Sequence, residues 1–224
     1  ILGLMSNNMK NISIVLFALI SLNCFAQNKL SFGINAGATY SSFRGNPQIE
    51  NFNAGIDFLA GFSIEYKLKE KLSLIANINY DRKTASQSLY TEIIENPDDP
   101  SFYGDVKIKF KNQFISMPVM AKYKFGTNNS FYVNGGLFAS FLLKSQLWND
   151  YDDADTDVTD DYKKLDFGLV FGLGKSFELK NNNKISIELR EYLGLNNISS
   201  VQIANNGSIK TNSLNLICNY SFDF

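Results

Sequence analysis

The sequence predicts an all-β fold: an eight-stranded antiparallel up-and-down transmembrane β-barrel with short periplasmic turns and long outer loops. Three observations carry this. Apolar and polar residues alternate with period two along successive segments, as side chains on opposite faces of a strand require. The segments run to about ten residues or more, the length that crosses a bilayer at a tilt. The connections also take turns in length. Those at 69–71, 126–130 and 179–183 are short, whereas those at 41–55, 84–105, 145–164 and 196–210 are long. That alternation gathers every short turn at one end of an up-and-down cylinder.

The first element is a targeting segment. From Met9 the chain reads "MKNISIVLFALISLNCFAQ", with one Lys, an apolar stretch over 12–22, and Cys24-Phe25-Ala26 before Gln27. The apolar stretch is too short to span a bilayer, and the small residues are placed as in a cleavage site. Cleavage is expected after Ala26, so residues 1–26 are leader and upstream sequence, with Met9 the start, and 27–224 form the barrel domain. The competing reading is a lipoprotein acylated at Cys24, which bulky Asn23 and the position of Leu22 oppose. Cleavage leaves Cys218 as the one cysteine, so no disulfide framework exists. On an apolar stripe that thiol behaves as a small hydrophobe.

The strands follow in order. "KLSFGINAGATY" sets Leu30, Phe32, Ile34, Ala36, Ala38 and Tyr40 against Ser31, Gly33, Asn35, Gly37 and Thr39. "IDFLAGFSIEYKL" sets Ile56, Phe58, Phe62, Ile64, Tyr66 and Leu68 against Asp57, Ser63, Glu65 and Lys67. "LSLIANINYDR" sets Leu72, Leu74, Ile78 and Tyr80 against Ser73, Asn77, Asn79 and Asp81. The fourth strand holds "FISMPVMAKYKF", with Ile115, Met117, Val119, Ala121, Tyr123 and Phe125 on its apolar side. Upstream, Val106, Ile108 and Phe110 have the opposite parity, so a bulge is expected near 112–114. Pro118 cannot donate to a ladder and marks an irregularity. "FYVNGGLFASFLL", "LDFGLVFGLGKSF", "KISIELREYLGL" and "SLNLICNYSFDF" supply the rest.

Period two alone does not say which face meets water. Opposite the apolar stripes lie charges: Glu65, Lys67, Asp81, Lys122, Lys124, Asp166, Glu188 and Arg190. Aromatic residues gather near strand ends on the apolar side, at Tyr40, Tyr66, Tyr80, Tyr123, Phe125, Phe131, Phe222 and Phe224. That matches interfacial girdles, and with the leader it places the barrel in the cell outer membrane, its apolar face on lipid. The last strand must then pair with the first, because hydrocarbon cannot satisfy open backbone groups. Its aromatic ending, Tyr220, Phe222 and Phe224, resembles the signal by which the barrel assembly machinery recognises such chains during insertion.

"FISMPVMAKYKF", "FYVNGGLFASFLL", "LDFGLVFGLG" and "ISIELREYLGLNNIS", in that order, resemble the Bacteroidota outer-membrane β-barrel proteins of the PorT-like group. The likeness spans 29–224 and is sharpest at Met117-Pro118 and Asp166-Phe167-Gly168. It departs at "REYLG", where Glu191 falls on the apolar side, a place for a local bulge that shifts register. The resemblance implies an eight-stranded outer-membrane barrel and says little of activity.

Chemistry has little to stand on. The chain has no His, the usual general base and metal ligand at neutral pH. No phosphate loop or metal cluster is seen either, so the reading is non-enzymatic and without cofactor. A formal net charge of −1 gives no pull toward nucleic acid. An eight-stranded interior is about wide enough for its own side chains, so inward charges must pair. Glu65, Lys122, Lys124, Asp166, Glu188 and Arg190 are expected to form a salt-bridge plug, the functional alternative being a narrow ion path. In "NDYDDADTDVTDD", Asp153, Asp155 and Asp157 have the first three spacings of a calcium loop. Val158 and Lys164, however, stand where Gly and Glu belong. Solvated carboxylates on an outer loop are the plainer reading. "NPDDPS" at 96–101 reads as turn residues. The sequence thus points to an integral barrel in outer-membrane lipid, presenting loops to a surface or periplasmic protein partner. The reading from another class is a soluble periplasmic barrel that binds an apolar ligand inside.

Overall fold

A computed structural model describes residues 29–93, 102–151, 153–179, 183–203 and 207–223. The leader, its cleavage site and Phe224 lie outside these residues. The strands are β1 (Leu30–Arg44), β2 (Asn53–Lys67), β3 (Leu72–Ile93), β4 (Phe102–Phe125), β5 (Phe131–Asn149), β6 (Asp155–Asp157), β7 (Leu165–Glu178), β8 (Lys184–Gly194) and β9 (Lys210–Asp223). All pairings are antiparallel and join chain neighbours except that β5 pairs with β7 past β6, and β9 returns to β1 from Ser31↔Asp223 to Arg44↔Lys210. The short β6 pairs only with β5, so the closed ring has eight strands.

The cylinder is inside-out relative to a soluble barrel. Ile56, Phe62 and Leu137 are 75%, 68% and 65% exposed, whereas Thr39, Asp166 and Asn215 are 0% exposed. Hydrocarbon is the solvent that makes this arrangement stable, because it welcomes the outward Ile and Phe while the closed ladder keeps backbone groups paired. The polar lumen overturns the reading of a soluble barrel with a greasy interior. Phe222 stacks on Phe32 across the closing seam (centroids 6.4 Å apart), and Phe125 on Phe131 (6.1 Å) at one end of the belt. Cys218 is exposed on the outer face, in line with the apolar stripe.

The short turn after β4 shows why that end of the barrel can be tight. Gly126 has φ 78°, and Asn128 and Asn129 have φ 55° and 52°, left-handed conformations that these residue types tolerate best. At the other end the strands outrun the bilayer. The loop expected over 84–105 is largely a hairpin: β3 and β4 stay in register as far as Ile93↔Phe102. The extra strand carries few outward apolar residues because no lipid surrounds it there, and so it reads as loop in the sequence.

Two irregularities need correction. The irregularity expected near 112–114 is present, as a shift in the β4–β5 register between Gln113 and Phe114. It does not turn β4 itself over, since β3 and β4 keep one register through it. What changes is the solvent on each side. Within the belt Met117, Val119 and Tyr123 point outward, while above it Phe110 and Phe114 turn inward and Lys107, Lys109 and Lys111 stay outside. The bulge lies across the pair, on β5, where Gln113↔Lys144 is followed by Phe114↔Leu142 and Leu143 is skipped. That extra residue lets both Leu142 (1%) and Ser145 (0%) face inward. Similarly, β8 shows no register shift at Glu191, which pairs with Phe171 and Leu214 and keeps the outward parity. Pro118 interrupts the β3–β4 ladder between Ala76↔Val119 and Asn79↔Ser116, as a residue without an N–H should.

Ile78 sits in the middle rows of the lipid face, beside Phe62 and Ile34. Ile78→Arg should lower unfolding stability in lipid vesicles by about 2–4 kcal/mol, measured by urea titration, because the charge lies near the bilayer midplane.

Candidate functional site

The lumen is built by inward residues of every ring strand and is filled through its middle and outer levels. At the periplasmic end Glu65 pairs with Lys122 at 2.9 Å and with Lys124 at 2.7 Å. Lys122 Nζ lies 4.0 Å from the centre of the Tyr132 ring, and the Tyr132 hydroxyl donates to Glu188 at 3.0 Å. Glu188 accepts from the Arg190 guanidinium, which also donates to the Tyr192 hydroxyl at 3.4 Å. Tyr192 in turn packs edge-on against Phe138, centroids 5.1 Å apart.

Above this level stands Lys83, 2% exposed. Its ammonium lies 3.6 Å from Asp166 and 4.0 Å from Asp81, with no acceptor in hydrogen-bonding range. The Phe114, Phe138 and Tyr192 rings surround it at 5.0, 5.4 and 5.8 Å. Such cation–π contact compensates a desolvated ammonium where hydrogen bonds are missing. Asp166 accepts from Thr211 at 2.6 Å, and Asp81 from Thr39 and Ser116 at 3.2 Å each. Cations, rings and carboxylates thus alternate in one continuous column from the periplasmic end to the outer end.

Glycine makes room for the column. A Cβ on Gly172 would sit 2.4 Å from both Asn134 Oδ1 and Glu188 Oε1, and one on Gly174 would sit 2.4 Å from the Tyr132 hydroxyl. The lumen beside Glu188 and Arg190 keeps a void of about 30 Å³, room for about one water but not for a hydrated ion. Toward the periplasm it widens into a vestibule of about 610 Å³ lined by Glu65, Lys67, Glu70, Lys122, Lys124 and Lys184, among others. At the outer end it is capped by apolar side chains: Phe43, Ala85, Phe114, Leu142, Tyr162 and Ile198, each 7% exposed or less. Burial pushes the Tyr162 phenol up, and the Asp161 carboxylate beside it adds to the shift.

Of the residues singled out in the sequence, Glu65, Lys122, Lys124, Glu188 and Arg190 come together through Tyr132. Asp166 does not join them directly and is served by Lys83. Lys83, Tyr132 and Tyr192 were not anticipated. Lys83 has the same parity as Asp81, so extending the third strand by one period places it in the lumen. Asp153, Asp155 and Asp157 are spread over separate partners. Trp148 Nε1 donates to Asp153 at 2.9 Å, Lys111 pairs with Asp155 at 3.1 Å, and the Thr159 N–H donates to Asp157 at 2.9 Å. The Thr159 contacts hold the Asp157 carboxyl below its usual range. Among the described residues no group of three or more potential ligands is gathered for a metal. Tyr220 accepts from Asn183 at 2.8 Å, and Phe222 lies on the closing seam.

A model of the outer membrane protein beta-barrel domain matches residues 25–200. The chain belongs to that family. It is an outer-membrane protein, and its polar, plugged lumen and apolar mantle are what that location requires. Among solved structures it is similar to Neisserial surface protein A, at 15% identity and a TM-score of 0.46, covering 86% of this chain and 97% of that one. It is also similar to outer membrane protein W of E. coli (13%, 0.46, 88% and 100%) and to Ail of Yersinia pestis (12%, 0.41, 87% and 99%). Likeness at this level carries no function across. No curated protein matches the chain in sequence.

Glu188→Gln removes the charge that faces buried Arg190. It should destabilise the barrel by about 3–5 kcal/mol in urea unfolding from vesicles, while Glu188→Leu with Arg190→Met should recover most of that loss.

Proposed function

We propose that this outer-membrane barrel is a non-enzymatic anchor, a Bacteroidota protein of the PorT-like group, that holds four outer connections for contact with a surface or periplasmic protein partner. The observation that supports this reading is the filled lumen. Ion pairs from Glu65 to Lys83 occupy the bore, and a dry apolar cap lies over them. Among the described residues the lumen beside Glu188 and Arg190 leaves room for about one water, which speaks against transport, and the absence of His leaves a hydrolytic Ser or Asp without its usual base. What remains for contact with other molecules is the outer end, where β3, β4 and β5 rise above the belt. The leader from Met9 to Ala26 exports the chain, and the barrel assembly machinery reads the aromatic C-terminal strand.

The test has two arms. In planar bilayers the refolded protein should give no stable conductance steps, and regular steps would favour the narrow ion path instead. In intact cells a membrane-impermeant maleimide should label Asn149→Cys, at the outer end of β5. It should reach Asn128→Cys, in a periplasmic turn, only after the outer membrane is opened. The reverse pattern would invert the orientation and remove the surface role.

A further inference from the structure

Above the dry cap, three outer connections and the tops of β1 and β4 enclose a pocket that the anchoring role does not use. Its volume is about 170 Å³. Phe43, Phe52 and Phe110 form one wall, with Phe52 and Phe110 centroids 5.5 Å apart and Phe43 and Phe110 6.5 Å apart. Ile49, Tyr162, Val201 and Ile209 complete the apolar lining. Asp161 and Ser199 are the polar lining residues among those described.

The walls are tied in place. Asn46 caps the turn at Pro47–Glu50 by accepting from the Ile49 N–H at 3.0 Å, and its amide donates to the Ser208 carbonyl at 3.0 Å. Tyr162 forms a β-bridge with Ser199. The Lys163 N–H donates to the Ile198 carbonyl (2.7 Å), and the Ser200 N–H to the Asp161 carbonyl (2.8 Å). The Ile198 N–H donates to the Ile209 carbonyl at 2.8 Å. The described parts of three separate connections are therefore tied around one apolar space.

We propose that this pocket is a binding site for an uncharged, single-ring aromatic molecule taken from the outer side of the membrane. Size, lining and charge each narrow the ligand. An apolar cavity of about 150 Å³ takes one benzene ring, so about 170 Å³ admits one ring with a small substituent and excludes an acyl chain or a fused polycycle. Aromatic walls favour a ring in offset or edge contact. The Asp161 carboxylate repels anions and can accept from a ligand hydroxyl, and no Lys or Arg is among the described lining residues to attract a carboxylate. Phe43 and Tyr162 also belong to the buried cluster of Phe114, Leu142 and Ile198, which closes the pocket on that side, so the ligand stops there. This is capture, not passage, and it does not depend on a protein partner.

The test uses the refolded protein in lipid nanodiscs with ¹³C-labelled Ile and Val methyl groups, titrated with p-cresol and separately with benzoate. We expect p-cresol to shift the Ile49, Val201 and Ile209 methyls along saturable curves. The lipid-facing Ile56 and Ile78 methyls should change only in proportion to partitioning. Benzoate should leave the pocket methyls unmoved. Val201→Trp fills the pocket from a half-exposed position and should weaken the p-cresol response at Ile49 and Ile209 at least tenfold. Ile49→Trp fills it from a different connection and should do the same at Ile209, heat-modifiable migration verifying the fold of each variant. The proposal is overturned if the pocket methyls merely follow Ile78, if benzoate matches p-cresol, or if both filled variants respond as the parent does.

Discussion

Everything in this molecule depends on backbone polar groups having no water to bond with inside a bilayer. Each unpaired N–H or C=O in hydrocarbon costs several kcal/mol, so a sheet that spans the membrane must close. The β1–β9 pairing is that closure. Once the ring is shut, period two divides the side chains into two solvents. The mantle takes Ile, Leu and Phe, and the lumen takes whatever the alternate positions carry.

The lumen then sets its own constraint. Eight strands leave a bore that side chains fill, so a charge pointing inward is desolvated. Evolution has met this with a column in which each charged group finds an opposite charge or an aromatic face, and glycines at Gly172 and Gly174 withdraw to let it fit. Lys83 is the plainest instance, with two carboxylates at 3.6 and 4.0 Å and three rings within 5.8 Å. The column holds the barrel's cross-section fixed, which gives the outer connections a rigid base.

Strands and facing were legible in the sequence because lipid enforces a local two-residue pattern. The charges of the lumen were legible as a set for the same reason. Their partners were not: whether Asp166 meets Arg190 or Lys83 depends on the stagger between strands that are far apart in the chain. The place of the bulge was legible, but its strand was hidden because Phe141, Leu142 and Leu143 are apolar in a row. The apolar cap also escaped notice. Phe43, Tyr162 and Ile198 come from three separate connections, and no periodic pattern marks a contact that only the closed ring creates.

The uneven heights of the strands carry a further consequence. β3 and β4 continue past the Tyr80↔Ile115 row to Ile93↔Phe102, whereas β8 ends at Gly194. At about 3.3 Å per residue and a tilt near 40°, the tall side stands about 30 Å above the low one. The molecule is therefore a lopsided tower. A neighbour drifting toward it in the plane of the leaflet meets a tall hairpin from one direction and a lower rim, topped by the connection after β8, from the other, so crowding alone gives its lateral encounters a preferred heading.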